Sequence, residues 1–178
     1  MDTKLNIHLQ LPPDVAARVQ TANARLDALE KSSIRFPPNT PHVTLLMGTT
    51  GADRTDAVLN AVQAWARTQP PLLLHLDRPS LPGSDGWVFL DAECVHGDLK
   101  QIRRSLAAAT GTLIQPSGKG CPDTHSHLTL GLCDGPPAAG YEQLFVPEQA
   151  LFSLVAVGHV GENGTVIDTL ASFELCGD

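Results

Sequence analysis

The chain has 178 residues, 42% of them apolar and 17% charged, which suits one compact domain or two small lobes sharing a core. Its 12 Lys and Arg stand against 19 Asp and Glu, a formal net charge of −7. Binding to a long nucleic-acid duplex needs a basic face and is therefore disfavoured, whereas a small anionic ligand needs only a local site.

The first part of the chain predicts a strand, a helix, a second strand and a second helix. Residues 4–12 alternate apolar and polar side chains, as in a strand buried on one face. Two prolines then open a helix, whose apolar face is predicted to carry Val15, Val19, Ala22, Leu26 and Leu29. Pro41 leads into a strand at His42. A helix from about Asp56 to Thr68 follows, with an apolar face formed by Val58, Val62, Trp65 and Ala66.

The second part predicts strands at "PLLLHLDRP" and "WVFLDAE", then a helix from near His96 to Thr110 that ends at Gly111. Leu99, Ile102, Leu106 and Ala109 have helical spacing there. The Gly- and Pro-rich loop "QPSGKGCPDTHS" leads to a strand at His127. "LFSLVAVGHV", a turn at "GENG" and "TVIDTLASFEL" together predict a terminal hairpin, with the first stretch as one of its strands. The passage from helix to histidine-bearing strand occurs twice, which suggests an internal duplication.

Two short stretches share one pattern. "PHVTLLMG" contains His42 and Thr44, and "SHLTLGLC" contains His127 and Thr129, with the histidines 85 positions apart. A shuffled chain of this composition is expected to hold roughly 0.1 copies of His-apolar-Thr-apolar, so a pair is not expected by chance. Strand alternation places each histidine beside its threonine on one face and the apolar neighbours on the other. Such strands pack on a core and line a cleft.

Two imidazoles across a cleft can divide acid–base work, because histidine titrates near pH 6.5. The neutral one takes a proton from water, and the protonated one donates to a leaving oxygen. Two threonine hydroxyls beside them can bind the oxygens of a phosphoryl group. Such chemistry needs no metal and no cofactor.

These residues resemble the 2H phosphoesterase superfamily, and especially its branch of 2′-5′ RNA ligase-like proteins and 2′,3′-cyclic nucleotide phosphodiesterases. The resemblance implies an α+β fold in which residues 1–178 form a single bilobal domain. Its two pseudo-symmetric lobes, each an antiparallel sheet with outer helices, surround a central cleft that carries both motifs. By this resemblance His42, Thr44, His127 and Thr129 take the catalytic positions.

The implied activity is metal-independent hydrolysis of a 2′,3′-cyclic phosphate or 2′-5′ phosphodiester, with reversible 2′-5′ RNA ligation as a further activity. The expected partner is a small nucleotide or a short RNA terminus, without a long duplex or a membrane. Which histidine is acid and which is base stays open at this point.

Four further residues are candidates for substrate contact. In "THSHLTL" only His127 has a threonine two positions later, so His125 is a loop-edge residue near the site. His8 faces either the cleft or solvent. Arg35 and Lys119 lie in the loops before the two motifs, where they offer a cation to an anionic substrate or are simply solvated.

Two other functions remain open. A non-catalytic binder would use the same cleft to hold a nucleotide or an RNA end. A zinc hydrolase would use Cys121, His125, His127 and Cys133, although their spacing is not a common zinc spacing and leaves His42 unexplained.

The sequence also favours a cytoplasmic location. No apolar run approaches the ~20 residues that span a bilayer, and the first residues lack the features of a signal peptide. The four cysteines are scattered, so we expect reduced thiols.

Overall fold

The computed structural model describes residues 2–83, 85–137 and 139–177, with the Lys119 side chain outside the described part. The helices are α1 (Pro13–Leu29), α2 (Thr55–Ala66) and α3 (Leu99–Thr110). The strands are β1 (Asp2–Gln10), β2 (His42–Gly51), β3 (Leu72–Ser80), β4 (Trp87–Cys94), β5 (Gln115–Pro116), β6 (His127–Leu132), β7 (Glu148–Phe152), β8 (Leu154–His159) and β9 (Ala171–Glu174).

The described strands form one antiparallel sheet in the order β7-β3-β4-β6-β2-β1-β8-β9, with β5 paired to β2. The order divides between β6 and β2 into two halves of four strands, each with its motif strand innermost. At that division the ladder pairs Val43 with Leu128. The predicted α+β fold with pseudo-symmetric antiparallel lobes is confirmed, with the two lobes joined into one sheet.

The stretch "LFSLVAVGHV" was wrongly predicted as one strand. It is split at Ser153 between β7 and β8, which lie in opposite halves of the sheet. Because a single residue separates them, the outer parts of the two halves must approach each other there, and the sheet must curl. Alternation within the stretch gave no sign of this break, since both strands bury apolar residues.

The helices pack on the sheet with mostly apolar faces, as predicted for α2, where Val58, Val62, Trp65 and Ala66 are all buried. Two helical faces were partly wrong. Leu29 and Ala109 are exposed, whereas Asn23 of α1 and Arg103 of α3 are buried. A prediction from periodicity assigns polar side chains to the solvent face of a helix. It therefore could not identify Asn23 and Arg103 as buried residues. No helix in the described ranges is long and apolar enough to cross a membrane.

Local sequence explains the ends of α3. Asp98 caps the helix by accepting a hydrogen bond from the Lys100 backbone N–H at 2.8 Å, so the helix begins at Leu99 rather than near His96. Gly111, with φ of 51°, ends it as predicted.

Both motif strands carry a β-bulge three residues after the motif histidine. In β2 the extra residue is Leu45, because Ile7 pairs with Leu46 and His8 with Thr44. In β6 it is Leu130, because Val88 pairs with Gly131 and Phe89 with Thr129. A bulge re-aims the side chains that follow it. In β2 it lets Thr44 and Met47, an odd number of residues apart, both line the cleft.

Candidate active site

The two motifs line a single cleft at the division between the halves of the sheet. β2 contributes His42 and Thr44, and β6 contributes His127 and Thr129. With Val43 opposite Leu128, an antiparallel register brings His42 alongside Thr129 and Thr44 alongside His127. The other lining residues are Lys4, Met47, Trp87, His125, Asn163 and Gly164.

The hydrogen bonds of His42 show which of its two ring nitrogens carries the proton when the ring is neutral. Its Nδ1 lies 2.8 Å from the Thr40 carbonyl oxygen, which can only accept, so Nδ1 carries the proton. Its Nε2 accepts from Asn6 Nδ2 at 3.2 Å. Burial lowers the pKa of His42, and the Thr40 hydrogen bond opposes that shift. His42 is therefore a neutral imidazole whose Nε2 is the basic atom.

His127 is held in a similar way from the other half. Its Nδ1 lies 3.3 Å from the carbonyl oxygen of His125. His125 is two residues before His127, just as Thr40 is two residues before His42. The same argument places the proton of the neutral ring on Nδ1 and makes Nε2 its basic atom. The ring stacks on Phe89, with centroids 3.8 Å apart and planes 19° apart. Both motif histidines thus share one orientation relative to their strands.

Behind His42 lies a buried polar layer from β1. Asn6 Nδ2 also donates to Thr44 Oγ1 at 3.1 Å, so a single amide orients both polar residues of the first motif. The fully buried His8 ring lies 5.0 Å from the His42 ring, centroid to centroid. Burial, followed by the proximity of His42, lowers the pKa of His8 from 6.5 to about 3, against the effect of its hydrogen bond to the Asn6 carbonyl. His8 is a neutral neighbour of His42.

The two halves differ in what lies next to the motif. His8 pairs with Thr44 across the β1–β2 ladder, and Phe89 pairs with Thr129 across the β4–β6 ladder. His8 and Phe89 therefore occupy equivalent positions. The first histidine has polar neighbours, whereas the second lies on an apolar aromatic ring. The symmetry of the backbone does not extend to the chemistry.

The cleft wall carries one cation on β1 and a polar loop. Lys4 is exposed and lies on the same strand face as Asn6. Asn163 and Gly164, in the loop before β9, adopt positive φ values of 57° and 77°. An asparagine tolerates this conformation better than most side chains. The loop also lines a second pocket beside the cleft, together with His42 and Thr129.

The structure separates the four candidate substrate contacts. His125 lines the cleft, is exposed, and its Nε2 lies 2.9 Å from Asp91 Oδ1. His8 is buried behind His42 instead of lining the cleft, so its predicted substrate contact is corrected to a contact with the motif histidine. Arg35 is exposed and pairs with Asp27 at 3.2 Å, away from the cleft lining. The Lys119 side chain lies outside the described residues.

The zinc alternative receives no support from the described side chains. Across residues 2–83, 85–137 and 139–177, Lys119 aside, no group of three or more His, Cys, Asp or Glu is placed to hold a metal ion. Cys133 is buried, and His125 pairs with Asp91. The four residues proposed as zinc ligands are not brought together.

Several residues of the site were missed in the sequence. Asn6 and Lys4 lie on the polar face of the first strand, so its alternation was a usable signal. Trp87 and Phe89 gave none, because aromatic residues in a strand are typical of a core. Asn163 stands in the predicted "GENG" turn, whose place beside the cleft depends on the curl of the sheet.

Comparisons with known proteins agree with this fold. The family model described as 2'-5' RNA ligase superfamily matches residues 11–155. No curated protein matches the chain in sequence. TT0787 of Thermus thermophilus has a similar structure, with a TM-score of 0.73, 19% identity, and coverage of 98% of this chain and 99% of that chain.

The structure of E. coli LigT complexed with 3'-AMP has a TM-score of 0.65 at 17% identity and covers 98% of this chain and 99% of that chain. For LigT complexed with phosphate the TM-score is 0.61 at 17% identity, with 98% of each chain covered. These likenesses show a shared fold. The family match spans most of the sequence and confirms the resemblance read from the two motifs: the chain belongs to the 2′-5′ RNA ligase superfamily, a group of 2H phosphoesterases.

Proposed function

We propose that this protein is a metal-independent phosphodiesterase that hydrolyses the 2′,3′-cyclic phosphate, or a 2′-5′ phosphodiester, of a nucleotide or a short RNA end. The observation that carries the proposal is the matched pair of histidines facing one cleft. Each donates Nδ1–H to the carbonyl of the residue two positions earlier, so Nε2 is the acid–base atom of both rings. A binding site alone does not need two such oriented titratable groups.

The surroundings of the histidines divide their roles. His42 is neutral, since burial lowers its pKa, so it serves as general base. Water replaces Asn6 at its Nε2, gives a proton to that nitrogen, and attacks phosphorus through its oxygen. His127, in its protonated form, gives the Nε2 proton to the departing ribose oxygen as the P–O bond breaks. Thr44 and Thr129 donate hydrogen bonds to the phosphoryl oxygens as their negative charge grows.

The remaining cleft residues suit a small anionic nucleotide. Lys4 offers a positive charge to the phosphate, and the indole ring of Trp87, which lines the cleft, suits a base. The LigT complexes with 3'-AMP and with phosphate support this choice of ligand class. If a 5′-hydroxyl takes the place of water, the same base accepts its proton, its oxygen attacks phosphorus, and the acid protonates the departing 3′ oxygen, which leaves a 2′-5′ phosphodiester.

The leaving group tests the assignment of acid and base. The substrates are a panel of 2′,3′-cyclic nucleotides and 2′-5′ dinucleotides, assayed with a chelator present. A nucleoside p-nitrophenyl phosphodiester serves as the activated counterpart, because its leaving oxygen needs no proton. We expect His42→Ala and His127→Ala each to lose about 10²- to 10⁴-fold in kcat on the cyclic substrate. On the activated substrate, His127→Ala alone should recover most of its activity.

Three outcomes would contradict the proposal. A wild-type protein that binds the cyclic nucleotide without consuming it is a binder. Loss of turnover with the chelator, restored by zinc, would establish metal chemistry. Recovery of His42→Ala rather than His127→Ala on the activated substrate would reverse the two roles. His75→Ala is the matched control, since His75 lies on β3 outside the cleft lining and should leave all rates unchanged.

A further inference from the structure

Two helices bury a polar side chain at equivalent places. Asn23 of α1 is 2% exposed and Arg103 of α3 is 1% exposed. In each helix the polar residue lies between two buried apolar residues at matching positions, Val19 and Leu26 around Asn23, and Leu99 and Leu106 around Arg103. A buried polar side chain lowers folding stability unless it is fully hydrogen-bonded. The hydrogen-bond partners of Asn23 and Arg103 therefore indicate the role of each side chain.

Arg103 connects β2 to the loop before β6. Its Nε donates to the carbonyl of Leu45, the bulge residue of the first motif strand, at 2.8 Å. Its Nη atoms donate to the carbonyls of Cys121 and Thr124 at 2.7 and 2.5 Å, and to Ser126 Oγ at 3.2 Å. One guanidinium therefore touches the strand of His42 and the residue directly before His127.

Asn23 makes the reciprocal connection between β6 and the loop before β2. Its Nδ2 donates to the carbonyl of Leu130, the bulge residue of the second motif strand, at 2.7 Å. It also donates to the Ile34 carbonyl at 2.9 Å, and its Oδ1 accepts from the Phe36 backbone N–H at 3.1 Å. The side chain thus uses both ends of its amide to join the two segments.

The motif strands need such connections. β2 and β6 are paired through Val43 and Leu128, so their ladder alone holds them weakly, and both strands are bulged just beyond that pair. Each helix packs against the motif strand of the other half, α1 on β6 and α3 on β2. Gly131 permits this approach, since a Cβ there would lie 2.6 Å from Leu26 Cδ2.

We propose that Asn23 and Arg103 are a pair of positioning residues that fix the spacing of His42 and His127 by holding the two bulge carbonyls, Leu45 and Leu130, to the loop before the opposite motif. Neither touches the cleft, so each acts through the backbone of the motif strands. The bulge carbonyl is a suitable point of attachment because a bulge frees it from the regular ladder.

The kinetic part of the test, which rests on the proposed function, compares Arg103→Met and Asn23→Leu with two controls, Leu106→Ala and Val19→Ala. The controls remove buried side chains of the same helices that make no hydrogen bond to a motif strand, and they destabilise by cavity formation. All rates are measured at a temperature where every variant is folded. We expect each positioning variant to lose about 10- to 100-fold in kcat with KM changed less than about threefold. The controls should keep kcat within about twofold.

A second readout needs no turnover. In ¹⁵N-histidine-labelled protein, inorganic phosphate is titrated while the ring nitrogen signals of His42 and His127 are followed. Each positioning variant should shift the signals of both rings and weaken phosphate binding, whereas the controls should leave them in place. Arg103→Lys, which keeps a cation but not the fork of donors, should restore only part of kcat.

The outcomes separate the two claims. If the wild type turns over no phosphodiester but the ring signals respond as expected, the proposed function fails and the positioning role stands. If Arg103→Met and Asn23→Leu stay folded with both ring signals and kcat unchanged, the positioning role is overturned. Equal loss of kcat in Leu106→Ala and Val19→Ala would also overturn it, because general loosening would then explain the effect. If Arg103→Met does not fold, Asn23→Leu decides.

Discussion

Replacing His8 by phenylalanine should flatten the dependence of folding stability on acid pH. His8 is fully buried, and no described residue contacts its Nε2 by a hydrogen bond. Burial and the nearby His42 lower its pKa to about 3. The equivalent position in the other half of the sheet holds Phe89, so a phenylalanine fits this type of environment.

The sign and size follow from proton linkage. Below a pH of about 6.5 the unfolded chain binds a proton at His8, whereas the folded chain does not until about 3. Folding stability is therefore full above 6.5 and falls as the pH drops below it, by about 1.36 kcal/mol per pH unit. At a pH of about 5, roughly 1.5 units lower, His8 accounts for a loss of about 2 kcal/mol.

Urea unfolding of the wild type and of His8→Phe, at a pH of about 7.5 and of about 5, measures the contribution of His8 to the pH dependence of the unfolding free energy. We expect the wild type to lose about 2 kcal/mol more than the variant between the two pH values. Any change in packing is present at both pH values and cancels from the comparison. His96→Phe, which replaces an exposed histidine, controls for the loss of a histidine as such. An equal loss in the wild type and His8→Phe would refute the argument, because burial would then not keep His8 neutral.

Three further predictions concern the cleft. Thr44→Val and Thr129→Val, which keep shape and remove the hydroxyl, should each lower kcat by about 10- to 100-fold in steady-state assays, and an unchanged kcat would exclude phosphoryl contact. Lys4→Ala should raise KM several-fold with kcat nearly constant and weaken the salt dependence of kcat/KM; a fall in kcat alone would contradict it. Asn6→Leu removes the hydrogen bond to the His42 Nε2 lone pair, which favours the neutral ring. The acidic limb of the kcat/KM profile should therefore move to higher pH, and a limb that does not move would contradict this role.

Much of the fold could be predicted because local patterns coincide with the tertiary arrangement. The alternation of the first stretch predicted strand β1, and α2 buries the four residues that its periodicity selected. The alternation was wrong about exposure, because Asn6 and His8 on the polar face of β1 are fully buried behind His42. The hydrophobic pattern failed where a polar side chain is buried. Arg103 and Asn23 are polar and buried, because their hydrogen-bond partners come from segments distant in the chain. The break at Ser153 also depends on which strand each half pairs with.

The candidate site, like the fold, was predicted from the sequence only in part. By itself the sequence determined the two motifs and, through the period of a strand, which of their residues share a face. Only the tertiary structure decided that the motif strands are neighbours, that His42 has the buried His8 and Asn6 behind it, and that His127 stacks on Phe89. The reason is physical. The face of a side chain follows from its own strand, but its pKa and hydrogen-bond partners depend on burial and on groups brought in by other strands, which strand period alone does not encode.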